Sequence, residues 1–433
     1  MTYEEAVQKI NSRLRFGIKP GLEQIGRLMK ELGNPQDRLK FVHVAGTNGK
    51  GTTCTLISSI LRKAGYRTGL YTSPYVTDFR ERFQIDGEMI PQQELMEELD
   101  KVYPAVERLA GEGIVITEFE LITAIAFQWF SDRDCDVVVL EVGLGGRFDA
   151  TNIIKPPLAA VITSISLDHT AILGDTVEQI AFEKCGILKP GSSAVLYPDQ
   201  KPEVIGVVKK IAAERGCKLT IPELSEIRET GTDLYGVDLE YQGMKLRLPF
   251  IGAHQEKNAL TALTAVRILR ERGLDISDQA VQDGFSSARI PARMEIFDGA
   301  PLVLLDGGHN PGCAVALADV LRKYLPGRKL VAVMGMMADK DSRTALSILA
   351  PLFSAVLTLA PDNPRSLPAE ELADRAREFC PDCRAMKDRA LALDTARDLA
   401  GPKGAVIVCG SFYLAGELRP YLENRSDFPA EKI

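Results

Sequence analysis

The stretch Val44-Ala45-Gly46-Thr47-Asn48-Gly49-Lys50-Gly51-Thr52 narrows the folds open to this chain more than any other. An apolar run (Phe41, Val42, Val44) leads into it, and an amphipathic segment (Leu56, Ile57, Ile60, Leu61) leaves it. Strand, glycine turn and helix in that order suit an α/β protein whose ligands gather at strand ends. Glycines let the backbone curl until its N–H groups face phosphate oxygens, and the N-terminus of the next helix adds a favourable dipole. Lys50 is suited to neutralising β- and γ-phosphates, and the Thr52 hydroxyl to reaching Mg²⁺. The spacing departs from G-x-x-x-x-G-K-[ST], because Gly51 separates Lys50 from Thr52. The segment reads as an ATP site, with a ligand-free glycine turn as the plainer alternative.

The rest of the chain continues the alternation. Thr2-x-x-Glu5 is a capping-box pattern, and a second helix is expected from Leu22 to Leu32, ending at Gly33. Thr68–Thr72 reads as a strand, and Asp86-Gly87 as the turn of a hairpin from Phe83 to Met89. Helices are expected over 91–110 and 119–131, then buried strands at Val137–Leu140 and Ala159–Ile165. Residues 192–248 look irregular, with a hairpin turn at Tyr241–Met244. A second β/α alternation starts at Leu302 and runs to the strand Ala405–Cys409. The expectation is an N-terminal phosphate-loop domain, 1–296, with a mostly parallel sheet, and a smaller C-terminal Rossmann-like α/β domain, 297–433. Asp298-Gly299-Ala300-Pro301 marks a turn or linker at the expected boundary.

Composition removes several classes of function. With a net charge of −7 and no run of five like charges, nucleic acid is not the expected partner. No apolar stretch approaches the ~18 residues of a membrane span, and the N-terminus lacks a signal pattern. Eight cysteines in 433 residues are too dilute for a disulfide framework, and the single C-x-x-C at Cys380 and Cys383 lacks a second pair for zinc. A cytoplasmic monomer is the expectation.

Several polar residues stand where ligands collect. Glu141 closes a buried strand, where an acid beside a phosphate loop holds Mg²⁺ or pairs with a neighbouring cation. Gly143-Leu144-Gly145-Gly146 after it implies close approach of backbone to a ligand. Asp168-His169 follows another strand, His169 being either a metal ligand or a satisfied core imidazole. Of four histidines, His254 and His309 lie in turns that look ligand-facing, and His43, mid-strand, reads as structural. Lys184, on a helix expected over Val177–Leu188, reads by itself as an ordinary surface lysine.

These segments, in order, resemble the folylpolyglutamate synthase/dihydrofolate synthase family of Mur-ligase-like, ATP-dependent amide ligases. The likeness runs through Gly46–Thr52 with its extra Gly51, Thr72-Ser73-Pro74, Glu81-Arg82, Glu141–Arg147 and Asp149-Ala150-Thr151-Asn152. It continues in Asp168-His169-Thr170, Glu183–Ile187, His254-Gln255-x-x-Asn258, Arg293-Met294-Glu295, Asp306-Gly307-x-His309-Asn310-Pro311 and Gly410–Tyr413. The resemblance implies that ATP phosphorylates a folate carboxylate and that L-glutamate attacks the acyl phosphate, releasing phosphate.

By the same resemblance, Gly46, Thr47, Asn48, Gly49, Lys50, Gly51 and Thr52, with Asn258, Arg293 and Asp306, bind ATP. Thr52, Ser73, Glu141, His169 and Lys184 are the implied metal positions, for two Mg²⁺ ions. Lys184 matches a lysine that the family carbamoylates with CO₂, and Lys50, Lys184 and His309 are the implied catalytic groups. Thr117, Glu118, Phe119, Glu120, Phe148, Asp149 and Ala150 resemble the folate-binding segments, although Phe119 also suits the buried face of a helix. Tyr75 replaces a common histidine, and Pro291-Ala292 a commoner Pro-Gly. The acceptor is a reduced folate, dihydropteroate or both. A Mur-type cell-wall ligase, a regulatory phosphate-loop ATPase and a silent nucleotide-binding module are the competing readings.

Overall fold

In the computed structural model, which describes residues 1–17 and 21–424, the apolar runs become the inner strands of two largely parallel sheets. The first contains β1 Phe41–Ala45, β2 Thr68–Tyr71, β3 Phe83–Ile85, β4 Glu88–Met89, β5 Val137–Glu141, β6 Ala159–Ile162, β7 Ser193–Leu196 and β8 Lys218–Thr220. Its spatial order is β4-β3-β2-β5-β1-β6-β7-β8, antiparallel only at the β2/β3 and β3/β4 pairings. Successive side chains alternate between faces, so Val137 and Val139 join one apolar layer while Val138 and Leu140 join another. Helices Lys50–Lys63, Ala253–Glu271 and Asp278–Ser287 cover the first face, and Gln92–Gly111 and Glu118–Asp132 the second.

The parallel register sets Val44 opposite both Glu141 and Val161, which brings three strand ends to one edge. Both expected hairpin turns form: Asp86 and Gly87 have φ of 53° and 86°, and Gln242 and Gly243 have 50° and 80°. Positive φ at both central residues matches the right-handed twist of the flanking strands.

The segment 192–248 is more regular than its sequence suggests. It supplies β7, the helix Pro202–Glu214 and β8, then a small antiparallel sheet of β9 Ile227–Asp233, β10 Gly236–Tyr241 and β11 Met244–Leu248. The strands were hard to see because β7 and β8 are only four and three residues long. The helix, in contrast, shows its stripe at Val204, Val208, Ile211 and Ala212.

The second sheet holds β12 Glu295–Phe297, β13 Leu302–Leu305, β14 Leu330–Met334, β15 Ala355–Thr358, β16 Cys383–Ala385 and β17 Ala405–Cys409. Its order is β12-β13-β17-β14-β15-β16, with only β12 antiparallel. Of the two readings of Asp298–Pro301, the turn is the one that forms: it closes a hairpin between β12 and β13. The C-terminal sheet begins at Glu295, before the expected boundary at 296/297, and residues 425–433 of the expected domain lie outside the described residues. No helix among the described residues is long and apolar enough to cross a membrane.

Candidate active site

The glycine turn forms between β1 and the helix Lys50–Lys63. A Cβ on Gly46 would lie 1.7 Å from Thr163 Oγ1, and one on Gly49 would lie 2.2 Å from Asn258 Oδ1, so neither position admits a side chain. Gly49 is also left-handed, at φ 86°. Thr47 N–H donates to the Ser164 carbonyl at 2.7 Å, which pins the turn to the segment after β6. Lys50 Nζ curls back onto the carbonyls of Gly46 (3.2 Å) and Thr47 (3.3 Å), and Lys184 Nζ reaches the same Gly46 carbonyl at 2.7 Å. Two ammonium groups thus share one carbonyl. Burial, with Lys50 beside it, brings Lys184 down to about 7.

Glu141 ends β5 next to these lysines and is buried. It accepts the Ser73 N–H at 3.1 Å; burial pushes its carboxyl up, and the Lys50 charge opposes that shift. His169 takes a left-handed backbone (φ 50°), its N–H donating to Asp168 Oδ1 at 2.9 Å. Asp168 is bound at 2.9 Å by Lys340, which comes from the loop after β14. Burial pushes Asp168 up, but the Lys340 hydrogen bond and the His169 and Lys340 charges outweigh it and hold it at about 2.

From the second sheet, His309 and Arg293 face the same space, gathered around Phe412 at ring-centroid distances of 5.8 Å and 4.3 Å. Gly307 has no room for a side chain there, since its Cβ would meet Phe412 Cδ1 at 2.3 Å. Burial and the Lys340 charge pull His309 down to about 4. Asn310 Nδ2 donates across to Asn48 Oδ1 at 2.9 Å, tying the second sheet's loops to the phosphate turn.

The walls enclose a cleft of about 610 Å³. Thr117, Glu118, Phe119, Glu120, Phe148, Asp149 and Ala150 also line it. Their polar atoms are not equally available. Thr117 and Glu120 bond each other as the capping box of the helix Glu118–Asp132. Asp149 accepts from Leu144 N, Thr151 N and Thr151 Oγ1 at 2.8, 3.0 and 2.5 Å. Glu118 faces Arg82 at 3.9 Å, too long for a hydrogen bond, and Arg82 Nε is buried with no partner among the described residues. Phe119 is half-buried, packed on Tyr71 with the tip of its ring against Gly143, and still reaches the cleft. Phe148 is 49% exposed at the rim.

The structure brings together Gly46–Gly51, Ser73, Glu141, His169, Lys184, Arg293 and His309 in one cleft. Three expected positions stand behind it. Thr52 is buried in the first helical turn, Asn258 backs Gly49, and Asp306 lines a small adjoining recess while accepting from Met294 N and Gly308 N. His254 does not line the cleft; it folds over Gly252. Lys340, Arg365 and Arg82, whose guanidinium lies over the Tyr75 and Phe79 rings, are cleft residues that the sequence reading gave no role. The available signal for Lys340 was its place just past the C-terminal end of a parallel strand.

Comparison with known proteins agrees with this geometry. The Mur ligase middle domain family matches residues 44–266, and the Mur ligase glutamate ligase domain family matches 292–412. The dihydrofolate synthase/folylpolyglutamate synthase of Bacillus subtilis is 34% identical over 433 residues, covering 97% of this chain and 99% of that protein. A Haloferax volcanii relative, named a bifunctional folylpolyglutamate synthase/dihydropteroate synthase, is 36% identical over 97% of this chain, which spans only 50% of that longer protein. Among solved structures, Mycobacterium tuberculosis folylpolyglutamate synthase complexed with ADP superposes with a TM-score of 0.90 at 32% identity, covering 98% of each chain. Escherichia coli FolC in complex with DHPP and ADP gives 0.86 at 32% identity, again over 98% of each. The chain belongs to the folylpolyglutamate synthase/dihydrofolate synthase family of Mur-type ligases.

Proposed function

We propose that this protein joins L-glutamate to a folate carboxylate with conversion of ATP to ADP and phosphate, reduced folates being the acceptor class. The observation that carries the reading is the convergence of Lys50, Lys184 and Glu141 from one sheet with Arg293, His309 and Lys340 from the other on a single cleft. A carboxylate is a poor electrophile, and attack of its oxygen on the γ-phosphorus, with departure of ADP, gives an acyl phosphate. The glutamate amine then attacks the carbonyl carbon, losing a proton, and phosphate leaves. The residues suit each part. The glycine turn and Lys50 cradle the triphosphate. Arg82, Lys340 and Arg365 supply positive charge for the carboxylates, and closure of the two walls excludes water from the acyl phosphate. His309, held neutral at pH 7, is suited to accept the amine's proton.

The donor set fits Mg²⁺ in part. Among the described residues no three His, Cys, Asp or Glu side chains cluster as a cage. Glu141 is a buried carboxylate bonded to the Ser73 N–H, His169 lines the same cleft, and Mg²⁺ takes one or two carboxylates plus phosphate oxygens and water. In this reading Glu141, Ser73 and His169 would hold two ions from the cleft, which would supply charge neutralisation of the triphosphate. Thr52, behind the cleft in the first helical turn, would join them only with its hydroxyl turned toward the site. Lys184 suits carbamoylation because its amine is half-neutral near pH 7. The nitrogen bonds the CO₂ carbon and sheds a proton, turning the Lys184 cation into an anionic carbamate beside the Lys50 ammonium. Division of the chain just before Glu295, monomeric action (one chain supplies both walls) and a cytoplasmic location belong to the same reading.

The test is ATP turnover with labelled glutamate and, in parallel, tetrahydrofolate, dihydropteroate or a UDP-muramoyl peptide. Phosphate release with a glutamylated folate product is expected for tetrahydrofolate. Product only from the muramoyl substrate, or ATP hydrolysis that ignores acceptor and glutamate alike, would replace this reading with one of its competitors.

A further inference from the structure

His43 is a fully buried imidazole in the middle of β1, between strand residues that feed the phosphate turn. Its Nε2 lies 2.9 Å from Thr151 Oγ1, and Nδ1 has no partner among the described residues. Burial, with the Lys189 charge, pulls it down to about 3, so it is neutral at pH 7. A buried imidazole with an orphaned nitrogen is a poor space-filler, because an apolar side chain would fill the same volume without desolvating polar atoms. What it has in return is the bond to Thr151.

That bond has a direction. The Thr151 hydroxyl reaches Asp149 Oδ1 at 2.5 Å. Burial pushes the Asp149 carboxyl up, against the hydrogen bonds from Thr151 and Leu144. Both its oxygens already accept backbone N–H groups, Oδ1 from Thr151 and Oδ2 from Leu144, which favours the carboxylate; in that form it takes the hydroxyl proton, and the hydroxyl oxygen is left to accept from His43. His43 must then carry its proton on Nε2. Asp149 passes the constraint on through Oδ2, which accepts Leu144 N–H at 2.8 Å and so fixes the glycine turn after Glu141. Both ends of the chain of bonds matter: Asp149 and Leu144 line the cleft, while His43 and Thr151 do not.

We propose that His43 is a positioning residue of the acceptor pocket: its Nε2–H orients the Thr151 hydroxyl onto Asp149 and thereby sets the wall formed by Asp149 and the Gly143–Leu144 turn. The kinetic part of this inference rests on reading that pocket as the folate end of the cleft. The structural part does not.

Two measurements on the full-length protein separate the two. Nitrogen-15 NMR of the histidine side chains, with His43→Gln to assign the signal, reports the tautomer directly. A neutral Nε2–H ring at pH 7, perturbed by Thr151→Val, is expected; an Nδ1–H tautomer or an imidazolium overturns the proposal whatever the substrate. In steady-state kinetics, His43→Leu and Thr151→Val are each expected to raise KM for tetrahydrofolate about 3- to 10-fold, with kcat and the ATP KM within about twofold, as for loss of one net hydrogen bond. The double variant should be no worse than either single one, and His43→Gln and Thr151→Ser should recover most of the loss. Equal damage to the ATP KM, or effects of the two substitutions that multiply, would reduce His43 to a packing residue. If wild-type protein turned over no folate at all, the functional reading would fail while the tautomer result stood.

Discussion

An exposed lysine amine holds its proton far above neutral pH, whereas Lys184 gives it up near 7 because water is excluded and Lys50 stands beside it. The linkage has a definite sign. Between pH 10.5 and 7 the unfolded chain binds a proton that the folded chain does not, so this residue makes stability fall as pH falls; below 7 the penalty is constant. Lys184→Met should therefore raise Tm in CO₂-free buffer, more at pH 6 than at pH 9, by differential scanning calorimetry. The same substitution should lower turnover by about 100-fold or more if the residue supplies an anionic ligand near the transferred phosphoryl group. A variant within threefold of wild type (roughly the noise of one weak contact) would remove Lys184 from the mechanism. Lys50 was legible from its glycine setting alone. Lys184 was not, since eight helical residues, Val177–Lys184, give no sign that their last side chain lies under a loop 138 positions away.

Helix against helix, the fold depends on close approach at particular glycines. A Cβ on Gly284 would meet Ile60 Cα at 2.6 Å, so Gly284→Ala forces the helix Asp278–Ser287 off the helix Lys50–Lys63. We expect a loss of about 1–3 kcal/mol in denaturant unfolding, as for overpacked cores. Gly206, inside the helix Pro202–Glu214, has nothing within 4 Å and is exposed. There Gly→Ala should stabilise by about 0.5–1 kcal/mol, from propensity alone. Opposite signs for one chemical change would show packing, not backbone entropy, deciding at Gly284. Most elements were legible because they are long and periodic, or marked by Asp-Gly and Gln-Gly turns. The strands β7 and β8 and the β12–β13 hairpin were not: a three-residue strand has no period, and Asp298–Pro301 reads the same as a linker or as a turn.

Across the whole molecule, Asp168 and Lys340 join the two walls of the cleft by an ion pair with side chains 13% and 10% exposed. Lys340 holds Asp168 at about 2, so the pair's contribution is complete above the ordinary carboxyl value of 3.8 and is lost as pH falls toward 2. Lys340→Met should cost about 1–2 kcal/mol at pH 6, because it leaves a partly buried carboxylate with only its His169 contacts. The deficit should shrink to nothing near pH 2, and small-angle scattering should show a larger radius of gyration at pH 6. An unchanged radius would mean that the Asn48–Asn310 contact suffices to hold the walls together. The α/β class, the phosphate turn and the order of the ligand-facing segments follow from the sequence alone, because glycine conformation and apolar periodicity act within a few residues of one another. Which side chains meet in the cleft, that Lys184 is near-neutral, and that Lys340 reaches Asp168 were decided only by the tertiary structure. Burial and charge pairing depend on distance in space, and residues 168 and 340 come within a hydrogen bond of each other only after both sheets have formed.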